Sequence, residues 1–124
     1  MKLLTVTVPC YNSQDYMRGC VDSLLVGGER VEIIIIDDGS TDATGAIGDE
    51  YASAYPTIVK VIHQENGGHG EGINQGLAHA TGTYFKVVDS DDKLCAEAKA
   101  LLPQMKANDL HEAMKCIEAE AMVL

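Results

Sequence analysis

The chain has 124 residues, of which 46% are hydrophobic, and its nineteen acidic and nine basic side chains give a formal net charge of −10. This length supplies one domain with a single core, and the excess of acid argues against a nucleic-acid backbone as partner. No apolar run approaches the ~20 residues of a membrane span, and the amino terminus lacks the pattern of a signal peptide. We therefore expect a cytoplasmic protein, either in solution or at the inner face of the membrane.

The cysteines are far apart in the sequence and form no C-x-x-C pair. This spacing is unlike that of zinc sites, and without a secretion signal a disulfide framework is not expected. We predict that they are reduced and mostly buried. Cys10 follows the first predicted strand and is a candidate reactive thiol, although the sequence pairs no base with it. The four cysteines are Cys10, Cys20, Cys95 and Cys116.

The hydrophobic pattern predicts strands that alternate with helices across short connections. Residues 31–36 read Val-Glu-Ile-Ile-Ile-Ile, and a run with so little polar alternation is typical of a strand covered on both faces. Asn12 is predicted to cap the first helix, with Asp15 three residues on as its capping-box partner. The predicted strands are 3–8, 31–36, 57–63 and 83–88, and the predicted helices are 16–25, 43–54 and 73–80.

Right-handed crossovers between such strands give a parallel sheet with helices on both faces, which is an α/β fold. Residues 1–92 are predicted to form this α/β domain. Residues 93–124 contain few β-branched side chains and are predicted to be a helical tail of the same domain, in two helices separated near Pro103. One face of the second helix carries apolar side chains that include Ile117 and Ala121.

The fourth predicted strand ends in three carboxylates within four residues, in the segment Asp89-Ser90-Asp91-Asp92. Strands of α/β folds present ligand-binding residues at their carboxyl ends, and neighbouring carboxylates repel one another unless a cation or hydrogen-bond donors neutralise them. Mg²⁺ and Mn²⁺ prefer oxygen ligands and are usually shared with substrate phosphates. The segment is therefore a candidate metal site, and the alternative is a solvated turn that caps the next helix.

Two further polar segments follow the second and third strands. Asp37-Asp38-Gly39-Ser40 ends the second strand, where an acid such as Asp38 accepts a hydrogen bond from a base or ribose in nucleotide-binding folds. The loop 66–72 is dense in glycine, which lets backbone approach a ligand and presents free amides to phosphate. Alternatively, the first segment only caps a helix, and His69 in the second is a loop or capping histidine. The remaining histidines, predicted to be structural, are His63, His79 and His111.

Four segments at predicted strand ends would share one edge of the sheet. In this order and phase they resemble the nucleotide-binding half of family 2 glycosyltransferases, which are inverting enzymes with the GT-A fold and a D-x-D motif. The resemblance covers residues 3–93 and implies a Rossmann-like, mainly parallel sheet of about four strands in the order 3-2-1-4. The segments are Val8-Pro9-Cys10-Tyr11-Asn12, Asp37-Asp38-Gly39-Ser40-Thr41-Asp42, Asn66-Gly67-Gly68 and Asp89-Ser90-Asp91-Asp92.

The resemblance implies binding of a nucleoside-diphosphate sugar, most often a UDP-sugar. Pro9, Tyr11 and Asn12 match the loop that packs against the nucleobase, and Asp38 matches the acid that hydrogen-bonds the uracil ring. The donor nucleotide site is thus expected to comprise Pro9, Tyr11, Asn12, Asp38, Gly67, Gly68, His69, Asp89 and Ser90.

Two acids match the metal-binding motif of the family. Asp89 matches the D-x-D acid near the ribose and metal, and Asp91 matches the acid that ligates the metal bridging the diphosphate. The resemblance therefore implies Mn²⁺ or Mg²⁺ as cofactor. A cation on the diphosphate oxygens stabilises the charge that develops as the glycosidic bond breaks.

The sequence departs from the family pattern at two places. Family members often carry Ala-Arg before an Asn-x-Gly segment, with the Arg near the pyrophosphate, whereas Gly72-Ile73 stand there in this chain. His69 or the glycine amides are the candidate replacements. The acceptor half with its catalytic Asp or Glu base lies well beyond the D-x-D motif in the family, and this chain ends at Leu124. We therefore expect a donor-binding half whose catalytic base is not in this chain.

The predicted function is sugar transfer from a nucleoside diphosphate to an unidentified acceptor, in polysaccharide or cell-surface glycan synthesis. The main alternative is a non-catalytic domain that binds a nucleotide or nucleotide sugar. A phosphoryl-transfer enzyme of the haloacid dehalogenase type would place its Asp pair after the first strand, where Pro9-Cys10-Tyr11 stand. A purely structural domain would need four polar motifs to meet at one edge by chance. Without the acceptor half, the sheet would expose apolar surface on its open side, so we expect a homo-oligomer.

Overall fold

The structure is a computed structural model that describes residues 2–91 and 121–123. In this part of the chain, strands and helices alternate as far as the fourth strand, and a short 3₁₀ turn at Gly28–Arg30 precedes the second. In chain order the elements are β1 (Leu4–Cys10), α1 (Met17–Leu25), β2 (Val31–Asp38), α2 (Thr44–Ala54), β3 (Val59–Gln64), α3 (His69–His79), β4 (Tyr84–Val87) and β5 (Ala121–Val123).

The sheet has the strand order β3-β2-β1-β4-β5, and the first four of these strands are parallel to one another. The predicted α/β fold and the predicted order 3-2-1-4 are therefore confirmed. The register runs from Leu4 opposite Val31 to Cys10 opposite Asp37, so β1 and β2 end side by side. This common end is where a parallel α/β sheet offers its ligand-binding edge.

Helices cover both faces of the sheet, as predicted. Gly48 of α2 packs on Ile35, whereas Gly72 of α3 packs on the next residue of the strand, Ile36. Because successive side chains of a strand point to opposite faces, α2 and α3 lie on opposite sides. The strand β2 is buried along its whole length, which explains its unbroken run of isoleucine.

The helix α1 lies beside α2 on the same face. The hydroxyl of Tyr51 donates a hydrogen bond to Oδ1 of Asp22 at 2.6 Å, and Arg18 pairs with Glu50 at 2.9 Å on the outer surface. The apolar sides of both helices close the core over β1 and β2, and burial of each large aliphatic side chain there contributes about 1.5–3 kcal/mol. The core residues of the two helices are Met17, Cys20, Val21, Leu24, Ile47 and Tyr51.

The predicted capping role of Asn12 is wrong. The helix α1 begins at Met17, and within the described residues Tyr16 before it makes no side-chain cap hydrogen bond. Asn12 instead has a φ of 47°, and its side-chain oxygen accepts the backbone N–H of Thr41 at 2.9 Å. Asn12 therefore contacts the loop after β2 and does not cap α1. Asn tolerates the left-handed backbone conformation that this contact needs.

The third helix and the tail also differ from the sequence prediction. The helix α3 begins at His69, four residues before the predicted start at Ile73. Residues 121–123 were predicted to be helical, but they form β5, which pairs antiparallel with β4. The helical prediction is wrong for these three residues, and for residues 93–120 it lies outside the described part of the chain. None of the helices in residues 2–91 has the length and apolar character that crossing a bilayer requires.

Candidate functional site

Three hydrogen bonds join the four predicted segments at the carboxyl edge of the sheet. The N–H of Asn12 donates to Oγ of Ser40 at 3.0 Å, which links the loop after β1 to the loop after β2. The N–H of Gly67 donates to Asp38 at 2.8 Å, which links the β2 end to the glycine loop. Ser90 after β4 donates to Ser13 in the loop after β1 at 2.8 Å. The segments therefore form one continuous surface.

Asp38 fixes the glycine loop with both of its carboxylate oxygens. Its Oδ1 accepts the side-chain N–H of Gln64 at 2.9 Å and the backbone N–H of Gly67 at 2.8 Å, and its Oδ2 accepts the N–H of Gly68 at 3.0 Å. Burial raises the pKa of Asp38, but these three hydrogen bonds outweigh it and hold the pKa below its usual range. The carboxylate is therefore ionised at neutral pH.

The carboxylate of Asp38 has one more acceptor position than it has partners among the described residues. A carboxylate oxygen offers about two acceptor sites, and Oδ1 of Asp38 has two partners whereas Oδ2 has one. Asp38 is 7% exposed and lines the cleft described below. The remaining acceptor position suits an N–H donor of a ligand.

The loop that Asp38 holds requires glycine at position 68. Gly68 has a φ of 90° and a ψ of 173°, a conformation that side chains with a Cβ rarely adopt. It directly precedes α3 and turns the chain so that the amides of 67 and 68 both face the carboxylate. The first turn of α3 then begins beside the end of β1.

A small cleft lies between the end of β1, Asp38 and the start of α3. Its volume is about 100 Å³. This is well below the ~300 Å³ of a complete small-molecule site, so it fits a single ring rather than a whole nucleotide sugar. Tyr11 is 53% exposed beside it and offers an aromatic surface. The cleft is lined by Pro9, Cys10, Tyr11, Asp38, Gly68, His69 and Gly72.

Five of the predicted donor-site residues therefore meet at this cleft. They are Pro9, Tyr11, Asp38, Gly68 and His69. Gly67 does not line the cleft, but its N–H donates to Asp38. Asn12 contacts the loop after β2, where its side-chain oxygen accepts the N–H of Thr41. Sequence reasoning did not assign Gly72 to the site. Its place one helical turn after the glycine pair, on the face of α3 that packs on Pro9 and Ile36, could have indicated it.

The acidic turn after β4 lies at the same edge, and its two described acids are exposed. Ser90 between them donates to Ser13, and the Sγ of Cys20 contacts the carbonyl of Asp89 at 3.5 Å. Asp92 lies outside the described residues. Within residues 2–91, no three His, Cys, Asp or Glu side chains are grouped closely enough to hold a metal ion by themselves. Asp89 and Asp91 are thus two exposed carboxylates at this edge of the sheet.

Cys10 lines the cleft but is not a nucleophile. Its thiol is 1% exposed, and burial, followed by the nearby charge of Asp37, raises its pKa to about 12. The thiolate is the reactive form of cysteine, so a thiol with this pKa is inert at neutral pH. Among the described residues, Cys10 and Cys20 are both buried, as predicted.

The family model described as "Glycosyl transferase family 2" matches residues 5–110, which is most of the chain. The chain belongs to glycosyl transferase family 2. The match includes all four segments of the candidate site, and the family predicted from these segments is confirmed.

Relatives and solved structures support the same family. An uncharacterized glycosyltransferase of Escherichia coli (strain K12), YibD, is 39% identical over 114 residues, which cover 91% of this chain and 33% of that protein. The mannosyltransferase PcManGT from Pyrobaculum calidifontis, in complex with GDP-Man and Mn²⁺, has a TM-score of 0.69 at 26% identity. The match covers 75% of this chain and 28% of the PcManGT chain.

A structure of S. aureus TarS in complex with UDP-GlcNAc has a TM-score of 0.67 at 31% identity. The match covers 93% of this chain and 30% of the TarS chain. This chain thus spans about a third of each of these proteins. The described residues share the GT-A-like α/β fold of the two solved structures.

The arginine that family members often carry before Asn-x-Gly is replaced by Ile73 in this chain. Ile73 is half-buried on α3 and carries no charge, so no cation is present at that position. His69 lines the cleft four residues earlier and is the first residue of the same helix. In this member of family 2, His69 lines the cleft at the start of α3, where helix amides suit an anion.

Proposed function

We propose that this chain binds the nucleotide of a nucleoside-diphosphate sugar, as the donor-binding part of a glycosyltransferase. The observation that carries the proposal is the ionised Asp38 carboxylate, which accepts three hydrogen bonds from the described residues and lines a small cleft beside Tyr11. A planar base that stacks on an aromatic side chain and donates an N–H to the acid fits both features.

The chemistry of Asp38 restricts which base is bound. A carboxylate only accepts hydrogen bonds, so the base must present an N–H donor; uracil and guanine offer one from the ring, whereas cytosine and adenine offer only exocyclic amino groups. The complexes of TarS with UDP-GlcNAc and of PcManGT with GDP-Man contain bases of this kind. The family resemblance implies a UDP-sugar most often, so we propose uracil as the base.

We propose that Asp89 and Asp91 hold Mn²⁺ or Mg²⁺ together with the diphosphate of the donor. Both cations take oxygen ligands, and Mg²⁺ is commonly bound by one or two carboxylates plus substrate phosphates. Two exposed carboxylates at the sheet edge fit such an open site. PcManGT carries Mn²⁺ with its GDP-Man. The cation, when bound, stabilises the negative charge of the leaving nucleoside diphosphate.

The reaction that we propose is transfer of the sugar to an acceptor hydroxyl in polysaccharide or cell-surface glycan synthesis, as the family resemblance implies. Inversion needs a general base that deprotonates this hydroxyl. We assign no residue of the described part to that role. We also propose that the chain self-associates through apolar surface on the open side of the sheet, and a monomer in sedimentation at tens of micromolar would contradict this.

Calorimetric titration of UDP into the full chain, with and without Mn²⁺, tests the donor site. We expect Mn²⁺-dependent binding of UDP and weaker binding of CDP, because N3 of cytosine carries no hydrogen and only its exocyclic amino group can donate to Asp38. Equal binding of UDP and CDP would contradict a ring N–H donated to Asp38. Absence of UDP binding under either condition would overturn the proposed function, and UDP binding without any sugar transfer or donor hydrolysis would favour a non-catalytic binding domain.

The matched variant for the metal site is Asp91→Asn, which removes one charge and keeps the shape of the side chain. We expect it to abolish the effect of Mn²⁺ on UDP binding and to leave the fold intact, since Asp91 is exposed. Glu50→Gln is the control, because it removes one charge from the outer surface of α2, where Glu50 pairs with Arg18. An unchanged Mn²⁺ effect in Asp91→Asn would show that the metal is held elsewhere.

A further inference from the structure

Ser13 lies where the loop after β1 meets the acidic turn after β4. It is 5% exposed. Its hydroxyl donates to the carbonyl of Tyr11 at 3.3 Å, and it accepts the N–H of Tyr11 at 3.2 Å and the hydroxyl of Ser90 at 2.8 Å. A hydroxyl has one donor and two acceptor positions, so this side chain uses its full capacity on two segments of the site.

The backbone of Ser13 is fixed on both sides as well. Its N–H donates to Oγ1 of Thr44 at 2.8 Å, and Thr44 is the fully buried first residue of α2. Its carbonyl accepts the N–H groups of Tyr16 and Met17, each at 3.0 Å, at the start of α1. Ser13 therefore cannot follow a movement of Ser90 without disturbing two helices.

We propose that Ser13 is a positioning residue that couples the nucleobase end of the site at Tyr11 to the metal end at Asp89 and Asp91. This inference rests on the proposed function. Ser90 stands between the two acids, so its hydrogen bond to Ser13 sets the orientation of the turn that carries them. One nucleotide must reach both ends at once. If their separation is already fixed, less conformational entropy is lost when the nucleotide binds.

This role has a thermodynamic signature. If the two ends are rigidly connected, Mn²⁺ bound at one end favours the base bound at the other, and the two ligands raise each other's affinity by the same factor. Loss of the Ser13 hydroxyl removes the connection but leaves the cleft residues and the acids in the chain. The factor by which Mn²⁺ raises UDP affinity should then fall, whereas UDP affinity without Mn²⁺ should change little.

The experiment is titration of UDP with and without Mn²⁺ into the full chain and into Ser13→Ala. One hydrogen bond contributes about 0.5–1.5 kcal/mol, so we expect the Mn²⁺ factor to fall roughly three- to tenfold and the Mn²⁺-free Kd to change less than about twofold. Ser23→Ala is the matched control. Ser23 is also 5% exposed and donates to a backbone carbonyl, that of Cys20 at 2.6 Å, but it lies within α1. It should leave the Mn²⁺ factor unchanged.

A loss of affinity in Ser13→Ala that is equal with and without Mn²⁺ would overturn the inference, since it would mean that Ser13 only supports the Tyr11 loop. The pair Ser13→Ala and Ser90→Ala should be non-additive, because each removes the same hydrogen bond. Fully additive losses would also overturn it.

A ligand-free measurement separates this inference from the proposed function. Hydrogen exchange at the amides of residues 88–91 should be faster in Ser13→Ala than in the unaltered chain, and Ser23→Ala should not change it. Unchanged exchange in Ser13→Ala would overturn the positioning role even if UDP binds. Faster exchange in a chain that binds no UDP would instead contradict the proposed function and leave the structural link in place.

Discussion

The Nδ1 of His63 lies 2.8 Å from Oδ2 of Asp37, and the Nε2 of the same ring lies 2.8 Å from Oδ1 of Asp49. Carboxylates only accept hydrogen bonds, so the protonated ring can donate from both nitrogens, and this geometry favours its charged form. The hydrogen bonds to Asp37 and then to Asp49 raise the pKa of His63 above its ordinary value of 6.5, although burial alone lowers it. The ring joins the ends of β3 and β2 to α2, beside Asp38.

We expect His63 to make the free energy of unfolding depend on pH. A group whose pKa is raised by folding stabilises the fold fully below its unfolded pKa, here about 6.5, and this stabilisation is lost as the pH rises through the raised pKa. Urea unfolding measured in steps from about pH 6 upward should therefore show falling stability, and His63→Gln should flatten this slope.

The control for His63 is His79→Gln. His79 lies exposed at the end of α3 and contacts the carbonyl of Gln75 within its own helix. It should leave the pH dependence as it is in the unaltered chain. A slope that persists unchanged in His63→Gln would contradict the assignment to His63. The ring is about half exposed, so the effect should be modest and should shrink with added salt.

Replacement of Gly76 by Ala should destabilise the fold. A Cβ at this position would overlap the side chain of Thr7 on β1, whose own Cβ would be 2.8 Å away. Thr7 is fully buried in the central strand and has no room to withdraw, so the helix α3 must shift from the sheet. Overpacking of this kind costs about 1–3 kcal/mol in the free energy of unfolding, which thermal or urea unfolding would measure.

Gly70→Ala is the control in the same helix. A Cβ there would meet no heavy atom of the described residues within 4 Å. Since alanine favours helix over glycine by up to about 1 kcal/mol, we expect this variant to be as stable as the unaltered chain or more so. Equal stability of the two variants would contradict the close approach of α3 to β1.

The glycines of α3 also explain why the sequence placed the start of this helix too late. Glycine disfavours helix in isolation, so the segment from Gly67 to Gly72 was interpreted as a loop. In the fold, Gly72 and Gly76 lie four residues apart on the face that packs on β1 and β2. Their small size permits this close packing, and tertiary contact outweighs local propensity. The strands, in contrast, were predictable because their apolar runs are buried whatever the helices do.

Local sequence patterns do not predict the contacts that organise the site, for a different reason. The partners of Ser13 and Asn12 lie about thirty or more positions away, at Ser90, Thr44 and Thr41. Serine and asparagine beside a predicted helix indicate a cap, and the sequence alone does not reveal that a neighbouring strand end offers better partners. The antiparallel pairing of Ala121–Val123 with β4 is likewise non-local. What the sequence did predict was which segments meet, since parallel strands end at one edge.

Glu32→Gln should destabilise the fold at the opposite edge of the sheet without affecting nucleotide binding. The carboxylate of Glu32 is 2% exposed and accepts hydrogen bonds from Thr5, from Lys60 at 2.6 Å, and from both the backbone and the hydroxyl of Thr81. In Glu32→Gln, the side-chain NH₂ group would face some of these donors, which would then lack an acceptor. We expect a loss of about 2 kcal/mol in urea unfolding and an unchanged Kd for UDP.

The decrease in the free energy of unfolding at acid pH provides a second test of Glu32. Burial raises its pKa, but the hydrogen bonds from Lys60, Thr81 and Thr5 outweigh this and lower the pKa below 4.5. The stabilisation is therefore present above about pH 4.5 and lost as the pH falls through the lowered pKa, and Glu32→Gln should flatten that loss. Glu29→Gln, an exposed acid near the same edge, should leave both readouts unchanged.

Asp38→Asn should weaken both UDP binding and the fold. Oδ1 of Asp38 accepts two donors, so the amide oxygen of Asn takes that place and the NH₂ group faces the Gly68 N–H and the cleft. A base N–H then meets a donor, and we expect UDP affinity to fall more than about tenfold while unfolding loses about 1–3 kcal/mol. Asp15→Asn, which removes an exposed charge from the loop after β1, should preserve both. Undiminished UDP binding by a folded Asp38→Asn chain would mean that another group contacts the base.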